Sequence, residues 1–476
     1  MTKNVADELA GLELPVERGC PFAPPAAYER LRERAPINKV RLTSGGQAWW
    51  VSGHEEARAV LADGRFSSDK RKDGFPLFTL DAATLQQLRS QPPLMLGMDG
   101  AEHSAARRPV IGEFTVKRLA ALRPRIQDIV DHFIDDMLAT DQRPVDLVQA
   151  LSLPVPSLVI CELLGVPYTD HDFFQSRTTM MVSRTSMEDR RRAFAELRAY
   201  IDDLITRKES EPGDDLFSRQ IARQRQEGTL DHAGLVSLAF LLLTAGHETT
   251  ANMISLGVVG LLSHPEQLTV VKADPGRTPM AVEELLRYFT IADGVTSRLA
   301  TEDVEIGGVS IKAGEGVIVS MLSANWDPAV FKDPAVLDVE RGARHHLAFG
   351  FGPHQCLGQN LARMELQIVF DTLFRRIPSL RLAVPMEDVP FKGTPSSTAF
   401  TNSRSPGERD MMRIKAETGL CVGSGQCVLT EPAVFDQDDD GIVALLTDHP
   451  DDQSAAQVRH AVTLCPSRAL SILRDA

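Results

Sequence analysis

The sequence predicts a mainly α protein with small β-sheets, followed by a small second domain. Three observations predict it. Apolar residues recur at three- and four-residue steps over long stretches, strand-like runs are few and short, and the text changes character near residue 391. In chain order, "QAWWVS" (47–52) is the first strand-like piece. "VKRLAALRPRIQDIVDHFIDDMLA" (116–139) and "RRRAFAELRAYIDDLITRK" (190–208) carry the helical period. The most apolar helix is "HAGLVSLAFLLLTAGHETTANMISLGVVGLLSH" (232–264), which at 1.5 Å per residue would span roughly 50 Å. "VEIGGVSIKAGEGVIVS" (304–320) alternates as short strands do. "FKGTPSSTAFTNSRSPGERD" (391–410) is rich in Ser, Thr, Pro and Gly and reads as a connector. The expected domains are 1–392, a linker at 393–410, and 411–476.

Bulk properties narrow the function classes. Six cysteines in 476 residues are too few for a disulfide scaffold. The N-terminus lacks the basic-then-apolar pattern of a secretory signal, and no uncharged apolar run reaches about 18 residues. A soluble cytoplasmic protein with reduced thiols, and no membrane partner, is expected. The net charge of −14 argues against nucleic acid as a partner.

Two stretches break local rules. "AGHETT" (245–250) puts Gly246, two β-branched threonines and ionisable His247 and Glu248 inside an apolar helix. The threonine hydroxyls can turn to backbone carbonyls. The stretch reads equally as a harmless kink or as a site where a carboxylate beside a hydroxyl relays protons into a dry pocket. "HLAFGFGPHQCLGQNLARMELQIVFDTLF" holds Cys356 among Gly350, Gly352 and Gly358, which permit a tight loop and close approach to a flat ligand. A helix follows, so its N-terminus would favour a thiolate. Out of context, Cys356 would read as a small buried hydrophobe.

The run Phe349-Gly350-Phe351-Gly352-Pro353-His354-Gln355-Cys356-Leu357-Gly358 resembles the cysteine-ligand signature of the cytochrome P-450 family. Ala245 to Thr250 resembles that family's oxygen-activation motif, and Glu284-Leu285-Leu286-Arg287 its E-x-x-R motif. The resemblance covers roughly residues 10–390 and is to soluble actinobacterial members that hydroxylate polyketides, macrolides, terpenoids or steroid-like molecules. It implies a haem b cofactor with the Cys356 thiolate on the iron. It implies that Thr249 and Glu248 serve oxygen activation, and that Ala245, Phe349 and Gly350 border the haem. His103, Arg107, Arg298 and His354 match positions that hold the haem propionates. Each alone would read as a surface charge. Glu284, Arg287 and Arg341 match a structural ion network; without the resemblance, Glu284 and Arg287 would read as an exposed i,i+3 pair. The family's usual C-terminal strand pair is not recognisable in 391–410.

Near the C-terminus, "CVGSGQC" places Cys421 and Cys427 six apart with Ser424 between them, and Cys465-Pro466 follows. The segment 411–476 resembles bacterial 3Fe-4S ferredoxins, α+β domains in which three cysteines hold the cluster; Ser424 stands where a four-iron cluster would have its further thiolate. A zinc site would need a fourth ligand, which His449 or His460 could supply at unusual spacing, and a four-iron cluster would need a non-cysteine ligand. Cys20 and Cys161 have no motif and read as incidental thiols.

The resemblances together imply a monooxygenase that takes O2, a small apolar substrate, and electrons from its own ferredoxin domain. No G-x-G-x-x-G dinucleotide fingerprint occurs, so an external NAD(P)H-dependent flavin ferredoxin reductase is the implied partner, and a monomer is expected. From residue 411 onward ten acids face five Lys/Arg, whereas Arg107, Arg108, Lys117, Arg118, Arg123, Arg344 and Arg363 give the cysteine side a basic character; charge would guide docking. Stretches 75–97, 174–190 and 291–297 are the expected pocket walls, and the apolar "PLFTLDAATLQQLRSQPPLMLGM" suits an apolar substrate. The alternatives are a peroxide-driven peroxygenase and a haem and iron–sulfur redox sensor or carrier.

Overall fold

The computed structural model describes residues 12–391 except 17, 21, 79–85, 87–88, 90–92, 142, 183–185, 294–295 and 390. Beyond these it describes 404–405, 413–418, 427–428, 431, 433–437, 443–448, 450, 454, 457–458, 461–462 and 469–473. The chain divides into two units, Met1–Ser405 and Pro406–Ala476.

Helices dominate the first unit, and each forms where the sequence supplies a start and an apolar face. Thr115 caps Val116–Ala139 through its hydroxyl, which accepts from the Arg118 N–H, and that helix buries Leu119, Ile126, Ile129, Val130, Ile134 and Met137. Ser186 caps Met187–Ser210 in the same way, and Asp231 caps His232–Ser263. The cap carboxylates and hydroxyls satisfy N–H groups that have no partner inside the helix.

His232–Ser263 runs unbroken through "AGHETT". The interruption its glycine and threonines would favour does not occur, because from Thr250 to Leu261 the helix is buried on every side and packing outweighs propensities of under 1 kcal/mol per residue. Gly246 serves close packing instead. A Cβ there would stand 3.3 Å from Ile160 Cδ1, on the helix Pro154–Leu164. At Gly257 a Cβ would stand 2.4 Å from the Phe370 ring, so the Gln359–Arg376 helix also lies directly against the long one.

A six-stranded mixed sheet lies in the same unit, in the order Glu13–Leu14, Ile37–Leu42, Gln47–Val51, Gly316–Val319, Ser297–Ala300, Phe66–Ser67. Arg298 sits inside the Ser297–Ala300 strand rather than before it, with Ser67 paired to Leu299 across the strand boundary. Within the stretch 393–410 the described residues are Arg404 and Ser405. They pair antiparallel with Asp146 and Val145, so this part of the expected linker belongs to the first unit.

Among the described residues of the second unit are two short strand pairs, Arg413–Ala416 with Leu470–Leu473 and Phe435–Gln437 with Val443–Leu445. Its small core gathers Ile414, Cys427, Val434, Phe435, Val443, Val458, Ala461 and Leu470. Among the described residues no single helix is long and apolar enough to cross a membrane.

Candidate active site

The loop around Cys356 is held from within and from outside. The Cys356 N–H donates to the Phe349 carbonyl at 2.9 Å, the Gly350 N–H to Leu347, and the Gln355 N–H to Gly352. Gly350 and Gly352 have φ of +70° and +72°, which side chains with a Cβ seldom adopt. At Gly352 a Cβ would also stand 2.4 Å from the Leu61 carbonyl oxygen and 2.9 Å from Ala62 Cα, at the end of the helix His54–Ala62. From outside, Arg107 Nη2 donates to the Gln355 carbonyl at 2.6 Å.

The Cys356 thiol is accessible to solvent yet enclosed by protein. Burial pushes it up; the Gly358 N–H, Arg107 and Arg363 pull the other way. A group that protein surrounds without covering borders an internal recess. Ala245 and Thr249 are exposed one turn apart on a helix that buries most of its length. The Thr249 hydroxyl donates to the Ala245 carbonyl at 2.8 Å.

The predicted propionate partners form one cluster. The rings of His103 and His354 stack with centroids 4.0 Å apart. Burial, then Arg298 and His103, pushes His354 down to about 4. Burial and Arg107 lower His103 as well. Arg298 is buried, its guanidinium donates to the Ser297 carbonyl, and burial pulls it down to about 10, with Asp99 the acid that opposes the shift. That acid is already engaged by Ser67, the Ser68 N–H and Lys72. The sequence reading missed Lys70. Its ammonium is accessible but pushed down, first by burial and then by Arg298. The pairing of Ser67 with Leu299 brings the chain just before Lys70 to the strand that carries Arg298, a proximity that no local spacing could have revealed.

Glu284, Arg287 and Arg341 also meet. Arg287 Nη2 and Nε donate to the two Glu284 oxygens at 2.7 and 2.8 Å, and Arg341 Nε donates to Oε1 at 3.1 Å. Both members of the first pair are fully buried, not exposed. Arg287 Nη1 also donates to the Asn325 carbonyl, and the Asn325 side chain accepts the Leu347 N–H at 2.6 Å. Asn325 therefore ties the ion network to the cysteine loop, a second link the sequence reading missed. Ala245 and Thr249 stay outside these networks; their hydrogen bond is with each other. Cys421 and Cys465 lie outside the described residues, as do parts of the pocket stretches 75–97, 174–190 and 291–297.

These residues fit a haem. Among the described residues no three His, Cys, Asp or Glu side chains converge, so a metal at Cys356 must bring its other donors with it, as a porphyrin iron does. Burial lowers both Arg298 and Lys70, Arg298 lowers Lys70 further, and Asp99, the acid that acts on Arg298, is already engaged by Ser67, the Ser68 N–H and Lys72; cations so placed suit a group that carries two carboxylates. Such a site on a mainly helical fold defines a haem-thiolate oxidoreductase.

The chain belongs to the cytochrome P450 family, whose sequence profile matches residues 46–273 and 277–396. Residues 408–475 match the family described as a divergent 4Fe-4S mono-cluster domain, so an iron–sulfur domain follows the monooxygenase. Pentalenic acid synthase of Streptomyces avermitilis is 50% identical over 392 residues, which is 82% of this chain and 96% of that one. Vitamin D3 dihydroxylase of Streptomyces griseolus is 48% identical over 376 residues, 79% of this chain and 92% of that one. The crystal structure of cytochrome P450 MoxA from Nonomuraea recticatena superposes with a TM-score of 0.82 at 96% identity, covering 84% of this chain and 99% of that one.

Proposed function

We propose that the enzyme hydroxylates a medium-to-large apolar molecule of the polyketide, macrolide, terpenoid or steroid class, using O2 and two electrons relayed by its own C-terminal domain. The observation that carries the reading is the exposed Ala245–Thr249 pair, a small side chain and a hydroxyl one turn apart on a mostly apolar helix. The relatives named for pentalenic acid and vitamin D3 support the substrate class.

Haem, held through Cys356 with its carboxylates on His103, Arg107, Arg298, His354 and Lys70, would supply oxygen activation and C–H oxidation. Thr249 holds its proton on the Ala245 carbonyl at rest and can turn it toward a ligand in the recess. Glu248, next to it, would pass protons to that hydroxyl. Glu284, Arg287 and Arg341 would keep the cysteine loop in register through Asn325.

For the second domain we propose a three-cysteine cluster on Cys421, Cys427 and Cys465, with Ser424 where a fourth thiolate would stand. A separate NAD(P)H-dependent flavin reductase would feed it, and the chain would act as a monomer.

Oxygen uptake and product formation with NADPH and a ferredoxin reductase test the whole reading. Turnover with peroxide but not with NADPH would favour a peroxygenase, and redox cycling without oxygen uptake a sensor or carrier. Thr249→Ala is expected to keep consuming oxygen while most of it leaves as hydrogen peroxide rather than product; unchanged product per O2 would remove the proton-relay role. Because the segment from 411 carries ten acids against five Lys/Arg, raising salt from about 0.05 to 0.5 M should slow haem reduction by the attached domain severalfold in stopped-flow traces. A rate flat with salt would exclude a charge-guided encounter.

A further inference from the structure

The helix Thr278–Phe289 carries two adjacent buried glutamates, and only the second belongs to the E-x-x-R pattern. Neighbours on a helix point about 100° apart, so the two serve different partners. Glu283 receives Arg363, with Nε on Oε1 at 2.7 Å and Nη2 on Oε2 at 3.0 Å. The remaining guanidinium nitrogen, Nη1, donates to Gln359 Oε1 at 3.0 Å. The planar group is thereby fixed, and its central carbon lies 4.5 Å over the ring of Phe349. Phe349 is the residue whose carbonyl accepts the Cys356 N–H.

Glu283 has a second partner. His346 Nδ1 accepts the Ala348 N–H, which leaves the proton on Nε2, 3.2 Å from Glu283 Oε2. Burial alone would push the Glu283 carboxyl up; the close approach of His346 and the paired bonds from Arg363 override it and bring it down to about 2. The carboxylate is thus ionised throughout the working range. The pair is neutral as a whole but oriented. Its positive end rests on the cysteine loop and acts on the Cys356 sulfur, while its negative end is held back on the neighbouring helix.

We infer that Glu283 and Arg363 are positioning residues that set the charge felt by the Cys356 sulfur, and with it the reduction potential of the iron that sulfur binds. This rests on the reading of Cys356 as the thiolate ligand. The step concerned is the one-electron reduction of ferric to ferrous iron, with dithionite as donor in the test and no proton transferred. Reduction adds a negative charge at the iron–sulfur bond, so a fixed cation on the loop favours it and the retained anion opposes it.

The test is a spectroelectrochemical titration of the full-length, haem-loaded protein, read at the haem Soret band. Arg363→Gln should shift the potential to more negative values and Glu283→Gln to more positive ones. Arg363→Lys, which keeps the charge but loses the bidentate grip, should lie between wild type and Arg363→Gln. Opposite signs are the signature, because a merely structural role would move both variants in one direction through loss of packing. Potentials that move together, or that stay put while the reduced carbon monoxide complex keeps its thiolate-type band, overturn the inference and leave the ligand reading intact. A wild-type protein without that band overturns the ligand reading and the inference with it. Glu283→Gln keeps the side chain's shape but turns one of the two oxygens that accept from Arg363 into a donor; if the arginine variants do not fold, Glu283→Gln alone decides, a shift to more positive values supporting the inference and no shift or a negative one overturning it.

Discussion

Cys356→Ser is expected to abolish the red-shifted Soret band of the reduced carbon monoxide complex and to lower turnover by more than ~100-fold, since even outer partners of a metal ligand are worth 10–100-fold. A serine hydroxyl is a far weaker donor than a thiolate and stays protonated at neutral pH. The loop itself should persist. Its bonds run through backbone groups, from the Cys356 N–H to Phe349 and from Arg107 to the Gln355 carbonyl, and none needs the sulfur. Far-UV circular dichroism should therefore match wild type while the spectrum does not. A variant that keeps the band would place the iron ligand elsewhere.

Arg287→Lys should have the second largest effect, on the yield of folded haem-loaded protein. The guanidinium is fully buried, grips both oxygens of Glu284 and donates to the carbonyls of Asn325, Pro334 and Val336. One ammonium cannot span these acceptors, so several would be left buried without donors. Breaking a buried pair costs about 3–5 kcal/mol, a large share of the roughly 5–15 kcal/mol that stabilises a domain. Denaturant titration should show a lower midpoint with the slope unchanged. A midpoint equal to wild type would remove the network's structural role. Because Asn325 continues the network to the Leu347 N–H, haem should be lost at lower denaturant than helix content.

The sequence was most readable where one element sufficed. Periodicity located Val116–Ala139 residue for residue and the long central helix within a residue or two. It carried the helix through "AGHETT" but left a kink there open, because propensity is local whereas packing by the Pro154–Leu164 and Gln359–Arg376 helices is not. The i,i+3 spacing of Glu284 and Arg287 was visible, but their burial was not, since it depends on Asn325, Pro334 and Arg341, which lie well beyond them in the chain. The motif positions named His103, Arg107, Arg298, His354 and Cys356, and the fold draws all of them around one loop and its neighbouring helix and strand. Lys70 and Glu283 carried no motif. The Ser67–Leu299 pairing brings the segment before Lys70 to the strand of Arg298, and helix packing brings Glu283 to Arg363, and neither can be read from spacing along the chain.

Gly352 presses directly on the main chain at Leu61 and Ala62. The decapeptide 349–358, which carries the proposed ligand, is therefore not a portable cassette. Transplanting it into another scaffold would carry the iron's attachment point but not the wall it leans against, and the graft would need the His54–Ala62 helix as well. Directed evolution of this enzyme should likewise find changes at 352 tolerated only in company with a shift of that helix.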